Sequence, residues 1–232
     1  MCKNPVFGLF SVESRFRTMR KYFITIAGNV GVGKSTLTQR LADRLGWDPV
    51  FEAVAENPYL ADFYEDMSRW SFHSQIFFLA RRLQQHHHLL QRGGSVLQDR
   101  SVYEDAGIFA RNLFEQGHMS RRDWQNYLEL YQTLSQMLQP PHLVVYLRAS
   151  VPTLRRRIQQ RGRSYEQSIS DAYLSQLNRL YEEWVTGFTL SPVLTVETDN
   201  LDYVQRDQDL ELIWGRIQDR LHGKDFLALG GA

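Results

Sequence analysis

The chain has 232 residues, with 27 Lys and Arg against 26 Asp and Glu and a formal net charge of +1; 43% of it is apolar and 23% charged. That is the composition of one globular domain with a sizeable core, and it excludes a disordered or fibrous chain. A charge this near zero gives no reason to expect nucleic acid as a partner.

Cys2 is the only cysteine, so no intrachain disulfide can form, which suits a reducing cytoplasm. No apolar run is long enough to span a membrane. The expectation is a soluble cytoplasmic protein. Residues 1–20 mix three arginines with scattered apolar residues and show no period, so they read as a poorly ordered extension or an over-called start before Met19. A first strand follows at Tyr22–Ala27. It runs into Gly28-Asn-Val-Gly-Val-Gly-Lys-Ser-Thr36, which fits G-x-x-x-x-G-K-[ST] without a mismatch.

The physics explains that composition. Backbone N–H groups must approach phosphate oxygens, and side chains at the glycines would block them. Lys34 adds a point charge, Ser35 a hydroxyl for magnesium, and the helix that begins there turns its positive end to the anion. Leu37, Leu41 and Leu45 continue at helical spacing until Gly46. Strand, loop and helix in this order point to a nucleoside-triphosphate site made by Gly28, Asn29, Val30, Gly31, Val32, Gly33, Lys34, Ser35 and Thr36.

Asp48–Ala55 reads as a second strand ending in acidic residues, and Tyr59–Asp66 as a short helix. A helical stripe runs from Trp70 to Leu90 and stops at Gly93-Gly94. Within it, His86-His87-His88 cannot converge on one metal, because consecutive helical residues point about 100° apart; a solvated helix face is expected. Ser95–Arg100 is a short strand, and helical patterns cover 102–116 and 121–139 up to Pro140-Pro141. His142–Leu147 is the clearest buried strand, and Pro152 suits the first turn of the next helix. Helix resumes over Ser170–Val185, then a strand at Pro192–Val196 and a helix over 207–222. This alternation predicts an α/β fold, a five-stranded parallel sheet with helices on both faces. Ligands in such sheets sit beyond the carboxyl ends of the strands, here Gly28 onward, Glu52–Glu56, Asp99-Arg100 and Arg148.

The glycine loop alone does not choose among kinases, ATPases and GTPases. Phosphoryl transfer to an acceptor needs a positioned oxygen, a group for its proton and neutralisation of the moving charge. Glu52 and Asp99-Arg100 at neighbouring strand ends could supply these, although a strand-end carboxylate or ion pair is more often simply solvated. Five stretches go further: Ile24–Thr38, Asn57–Leu60, Arg69–His73, Gln98–Asp105 and Arg161–Arg163. In their sequence and order the chain resembles the deoxynucleoside kinase family, in particular the bacterial deoxyadenosine/deoxycytidine kinases, across 21–222 and not across 1–20 or the 223–232 tail.

The resemblance implies the P-loop kinase fold with a short arginine-rich lid at about 157–167. It implies Glu52 as base toward the 5′-hydroxyl, although relatives often carry Glu-Pro where this chain has Glu52-Ala53. Arg100 and Lys34 would complete the catalytic set, and Arg100 would hold both Glu52 and the transferring group. Asp99, where many relatives have Glu, would orient magnesium with Ser35. Arg157, Arg161 and Arg163 would close over the phosphates of ATP. Gln75, Arg82 and Asp105 would read the base, with Tyr64 and Glu166 on the sugar 3′-hydroxyl. A homodimer is implied as well, and surplus apolar residues of 124–138 could cover its contact. The activity implied is ATP-dependent 5′-phosphorylation of deoxyadenosine or deoxycytidine for salvage. The rivals are a deoxyguanosine-preferring paralogue, a monophosphate kinase and a catalytically silent nucleotide-binding subunit.

Overall fold

A computed structural model describes residues 21–52, 56–163 and 166–222. The expectations for residues 1–20, for the tail after 222 and for the middle of the lid at 164–165 lie outside the described residues. Five strands, β1 (Phe23–Gly28), β2 (Asp48–Val50), β3 (Val96–Asp99), β4 (Leu143–Arg148) and β5 (Val193–Glu197), form one sheet in the order β2-β3-β1-β4-β5. Every pairing is parallel. The chain leaves β1 first toward β2 and β3 and then crosses to β4 and β5, so the carboxyl end of β1 is where a crevice opens.

Both sheet faces are covered, and the strands alternate accordingly. Leu143, Val145 and Leu147 of β4 point with Ile24 and Ile26 of β1 into one core; Val144 and Tyr146 point with Ala27 into another. The first core is closed by helices α1 (Lys34–Leu45), α6 (Val151–Arg161) and α8 (Asp207–His222). The second is closed chiefly by α7 (Asp171–Gly187), through Leu177, Leu180 and Tyr181. A third cluster lies outside the sheet, among α2 (Leu60–Glu65), α3 (Met67–Leu90), the segment 105–115 and α5 (Arg121–Ser135), around Phe63, Leu79 and Tyr127.

The helix ends follow from residue chemistry. The Asp66 carboxylate accepts the Arg69 N–H to start α3, and Ser120 and Ser170 cap α5 and α7 in the same way. Gly46 ends α1 in the left-handed conformation at φ 64, its N–H bonded to Ala42 O.

Three expectations are corrected. The second strand stops at Val50 rather than continuing to Ala55: described Phe51 and Glu52 have left the sheet, and 53–55 lie outside the described residues. β2 is an edge strand, which is why it tolerates Pro49, a residue with no N–H to give a neighbour. The 102–116 helix contains a π-helical segment, Asp105–Ala110, before α4 (Arg111–Glu115); the Arg111 N–H reaches back to Ala106 O. Last, the histidine run is not a uniformly solvated face. His87 and His88 are exposed, whereas His86 is wholly buried, edge-on to Phe23 and Tyr103.

Candidate active site

The loop after β1 is held from behind by its own side chains. Asn29 Nδ2 donates to Leu174 O at 2.9 Å and to Asn178 Oδ1 at 2.8 Å, while its Oδ1 accepts the Val30 N–H at 2.7 Å. Val32 is buried in the core. Asn29 and Val32 therefore offer a phosphate only their backbone. Gly28, Gly31 and Gly33 all have positive φ, at 141, 80 and 105. A Cβ on Gly28 would lie 2.6 Å from Leu147 O, and one on Gly33 would collide with the Tyr203 hydroxyl. Lys34 is buried, with Nζ donating to Asn29 O at 3.0 Å. Burial, aided by the Arg100 charge, lowers its pKa from 10.5 to about 8, although Asp99, Glu52 and Glu104 oppose the shift.

Beside it, Ser35 Oγ donates to Asp99 Oδ2 at 2.5 Å, and Asp99 Oδ1 is buried without a hydrogen-bond partner. An unmatched carboxylate oxygen next to a hydroxyl, both facing the cavity of the glycine loop, fits a hard divalent cation that keeps most of its water.

The same cavity is lined by a buried charge chain. Arg100 Nε donates to Glu52 Oε2 at 3.0 Å, Arg82 Nη2 donates to Glu52 Oε1, and Arg82 Nη1 donates to Asp105 Oδ1 at 2.6 Å. Burial works against a charge on Glu52, but the Arg100, Arg82 and Lys34 charges outweigh it and its pKa lies below the usual 4.5. Asp105 goes the other way. Burial lifts it to about 7 despite Arg82 at its side. Arg100 is the sole non-glycine residue with positive φ among the described residues, at 66. Its guanidinium lies 4.1 Å from the Phe109 ring centre.

Two cavities meet at the loop. The first, about 510 Å³, is lined by Lys34, Ser35, Glu52, Tyr64, Gln75, Arg82, Asp99, Arg100, Asp105, Arg161, Arg163 and Glu166. The second, about 640 Å³, is lined by Gly31, Gly33, Thr36, Arg157, Arg161 and the loop Asp199–Arg206. Gly31 and Arg161 belong to both walls. The structure thus brings together every acceptor-side residue singled out in the sequence. Gln75 and Arg82, seven residues apart on α3, face the same space.

The lid arginines divide. Arg161 pairs with Glu166 at 2.5 Å and Arg163 with Glu166 at 3.4 Å, so the carboxylate expected at the sugar holds the lid in place. Arg157 is committed to the loops: Nη1 donates to Val32 O at 2.9 Å and Nη2 to Thr198 O at 2.6 Å. Phe51, Phe63, Phe78, Phe109 and Tyr173 also line the first cavity. Sequence reading did not single them out, because an aromatic residue carries the same pattern whether it fills a core or walls a pocket. Trp70 does not line this cavity; it stacks on Tyr59 and packs into the third cluster.

A family model for deoxynucleoside kinases matches residues 24–222. The chain belongs to the deoxynucleoside kinase family. Family membership makes it a phosphotransferase, and the match covers both cavities and all of the sheet except Phe23. The chain is 41% identical over 201 residues to the deoxyadenosine/deoxycytidine kinase of Bacillus subtilis (strain 168), covering 86% of this chain and 93% of the relative. It is 34% identical over 205 residues to the deoxyguanosine kinase of the same organism, covering 85% and 96%. Among solved structures it resembles a deoxyadenosine kinase from M. mycoides with bound dATP, at 30% identity and a TM-score of 0.75, covering 85% of this chain and 99% of that one. Relatives with different base preferences are all near, so membership alone leaves the base open.

Proposed function

We propose that the chain moves the γ-phosphoryl group of ATP, with magnesium, onto the 5′-hydroxyl of a deoxynucleoside, with deoxyadenosine the first choice and deoxycytidine the second. The observation that carries this reading is that Glu52 and Arg100 share one cavity with Lys34 and Ser35. A carboxylate and a guanidinium thus line the same cavity of about 510 Å³ as the triphosphate loop.

In the transfer, the 5′-oxygen forms a bond to Pγ while the bond from Pγ to the bridging oxygen breaks and ADP leaves. The hydroxyl proton goes to Glu52. A carboxylate of lowered pKa is a weak base, which suits a loose transition state where the proton passes late, once the incoming oxygen has become acidic. Arg100, Lys34 and Arg161 neutralise the equatorial and leaving oxygens. Ser35 and Asp99 would hold magnesium, which would supply charge neutralisation when bound.

For the base, Gln75 offers one donor and one acceptor, so its amide can pair with adenine or, rotated, with cytosine. The Arg82–Asp105 pair favours an exocyclic amino group. Solved M. mycoides relatives carry dATP and dCTP, which supports the same two bases here. Tyr64 at the sugar would crowd a ribose 2′-hydroxyl. Glu52 beside the 5′-oxygen would repel an acceptor phosphate, which disfavours the monophosphate-kinase reading. A homodimer is part of the proposal: Leu130 and Met137 remain exposed in and just beyond α5, and sedimentation would settle it.

The test is a radiolabelled transfer assay across the four deoxynucleosides and adenosine. Deoxyadenosine and deoxycytidine should lead, with adenosine well behind. A flat response would remove the base-site reading.

A further inference from the structure

Two buried side chains that the transfer reading leaves unused meet behind the glycine loop. Glu104 lies at the start of the helical segment after β3, Tyr181 on α7, and both are wholly buried. Neither lines either cavity, so neither touches a substrate. Glu104 Oε1 accepts the Ser101 N–H at 2.9 Å and lies 3.4 Å from Ser101 Oγ. Its Oε2 accepts the Gly28 N–H at 3.4 Å and meets the Tyr181 hydroxyl at 2.7 Å. That hydroxyl also lies 2.7 Å from Gly28 O and accepts from Arg100 Nη1 at 3.4 Å.

The hydroxyl has one proton for two acceptors, Gly28 O and Glu104 Oε2, and donates to one at a time. Burial holds its pKa well above 10, with Glu104 adding to the shift and Arg100 opposing it, so the proton stays. Gly28 is thereby gripped at both its N–H and its C=O. Arg100 is gripped at its guanidinium by Tyr181 and, one peptide on, at the Ser101 N–H by Glu104. A left-handed arginine is a strained backbone that persists only where its surroundings over-determine it. The Arg100 N–H bond to Ile26 O at 3.0 Å and the Glu104 bond to the next peptide do so here. An apolar core at this place would need only volume, yet two polar side chains, Glu104 and Tyr181, converge on the first glycine of the loop.

We propose that Glu104 and Tyr181 are positioning residues for the transfer step. They fix Arg100 in register with Gly28, so the guanidinium on the acceptor side and the loop on the donor side keep one spacing. The proposal deepens the transfer reading of the same site and rests on it.

Tyr181→Phe removes one oxygen and its three contacts while keeping the ring stacked on Tyr146. Misplacing a catalytic group by about 1 Å can cost on the order of 10²-fold in rate. The expected result is a kcat lowered about 10- to 100-fold, with KM for ATP and for the deoxynucleoside within about threefold of wild type. Glu104→Gln keeps an acceptor for Ser101 but turns an amide donor toward the Gly28 N–H, so it should lie between. The decisive readout is the cycle with Arg100→Lys. With no guanidinium to aim, Tyr181→Phe should cost less than about twofold further, whereas a merely structural role would cost the same in either background. Thermal unfolding checks that each variant is folded at the assay temperature; Glu104→Gln carries the cycle if Tyr181→Phe is not. Turnover within about twofold of wild type in both variants, or losses that multiply with Arg100→Lys, would overturn the proposal and leave the kinase reading standing. A wild-type chain inactive on every deoxynucleoside would overturn both.

Discussion

Arg82→Met tests the charge chain at its middle. Arg82 is buried, and its two terminal nitrogens serve Glu52 and Asp105. Methionine fills similar apolar space without the charge. Asp105 then loses the cation that holds its pKa down to about 7, so at neutral pH it takes up a proton and loses the charge that strengthens its hydrogen bond to an amino group. A hydrogen bond to a charged partner is worth about 1.5–3 kcal/mol, so kcat/KM for deoxyadenosine should fall about 10- to 150-fold. Glu52 keeps Arg100 but loses one of the charges that lower its pKa, so the acid limb of the kcat profile should move to higher pH. Affinity for ATP should change little, because Arg82 lines only the first cavity. Breaking a buried pair from one side costs about 3–5 kcal/mol, or about 6–20 °C in Tm for a domain of this size. The assays are initial rates from pH 5 to 9, calorimetric ATP titration and thermal unfolding. An unchanged kcat/KM with an unmoved acid limb would refute the reasoning.

Two further outcomes follow from the loop side. Asp99→Asn leaves Ser35 a hydrogen-bond partner but halves the protein's hold on a hard cation; half-saturating magnesium should rise about 10-fold or more, with ATP affinity in chelator unchanged, and an unaltered magnesium requirement would count against Asp99. The free Lys34 ammonium, with its pKa near 8, loses its proton as pH rises through that value. A bound polyanion favours the charged form, so ATP binding should weaken above pH 8 with uptake of a proton, visible by calorimetry in buffers of different ionisation enthalpy. A flat affinity from pH 7 to 9.5 would contradict this.

The glycine loop was legible in the sequence because its chemistry is local: three positive-φ glycines, a lysine and a serine lie within a single turn of chain. The central strands β1 and β4 were legible because each is buried and almost wholly apolar on both faces, as a covered parallel sheet requires. What escaped depended on distant partners. Glu52 read as a strand-end carboxylate, but its grip by Arg82 spans 30 residues. Glu104 is one letter of a motif until Tyr181, 77 residues away, closes on it. The π-helical segment escaped because its six residues are too few to establish a period of their own. Its Gly107 packs so closely on Trp184 that a Cβ would sit 2.9 Å from the ring. His86 was misread because a polar residue among apolar neighbours gives no warning of burial.

The most direct test of the whole account is Glu52→Gln, assayed for phosphoryl transfer and for ATP binding in the same preparation. The amide keeps the shape and an oxygen for Arg100 but cannot take the 5′-hydroxyl proton. Turnover should fall about 10²- to 10⁴-fold, the usual worth of a positioned base, with ATP affinity retained. Turnover within a few-fold of wild type would show that the carboxylate is not the proton acceptor.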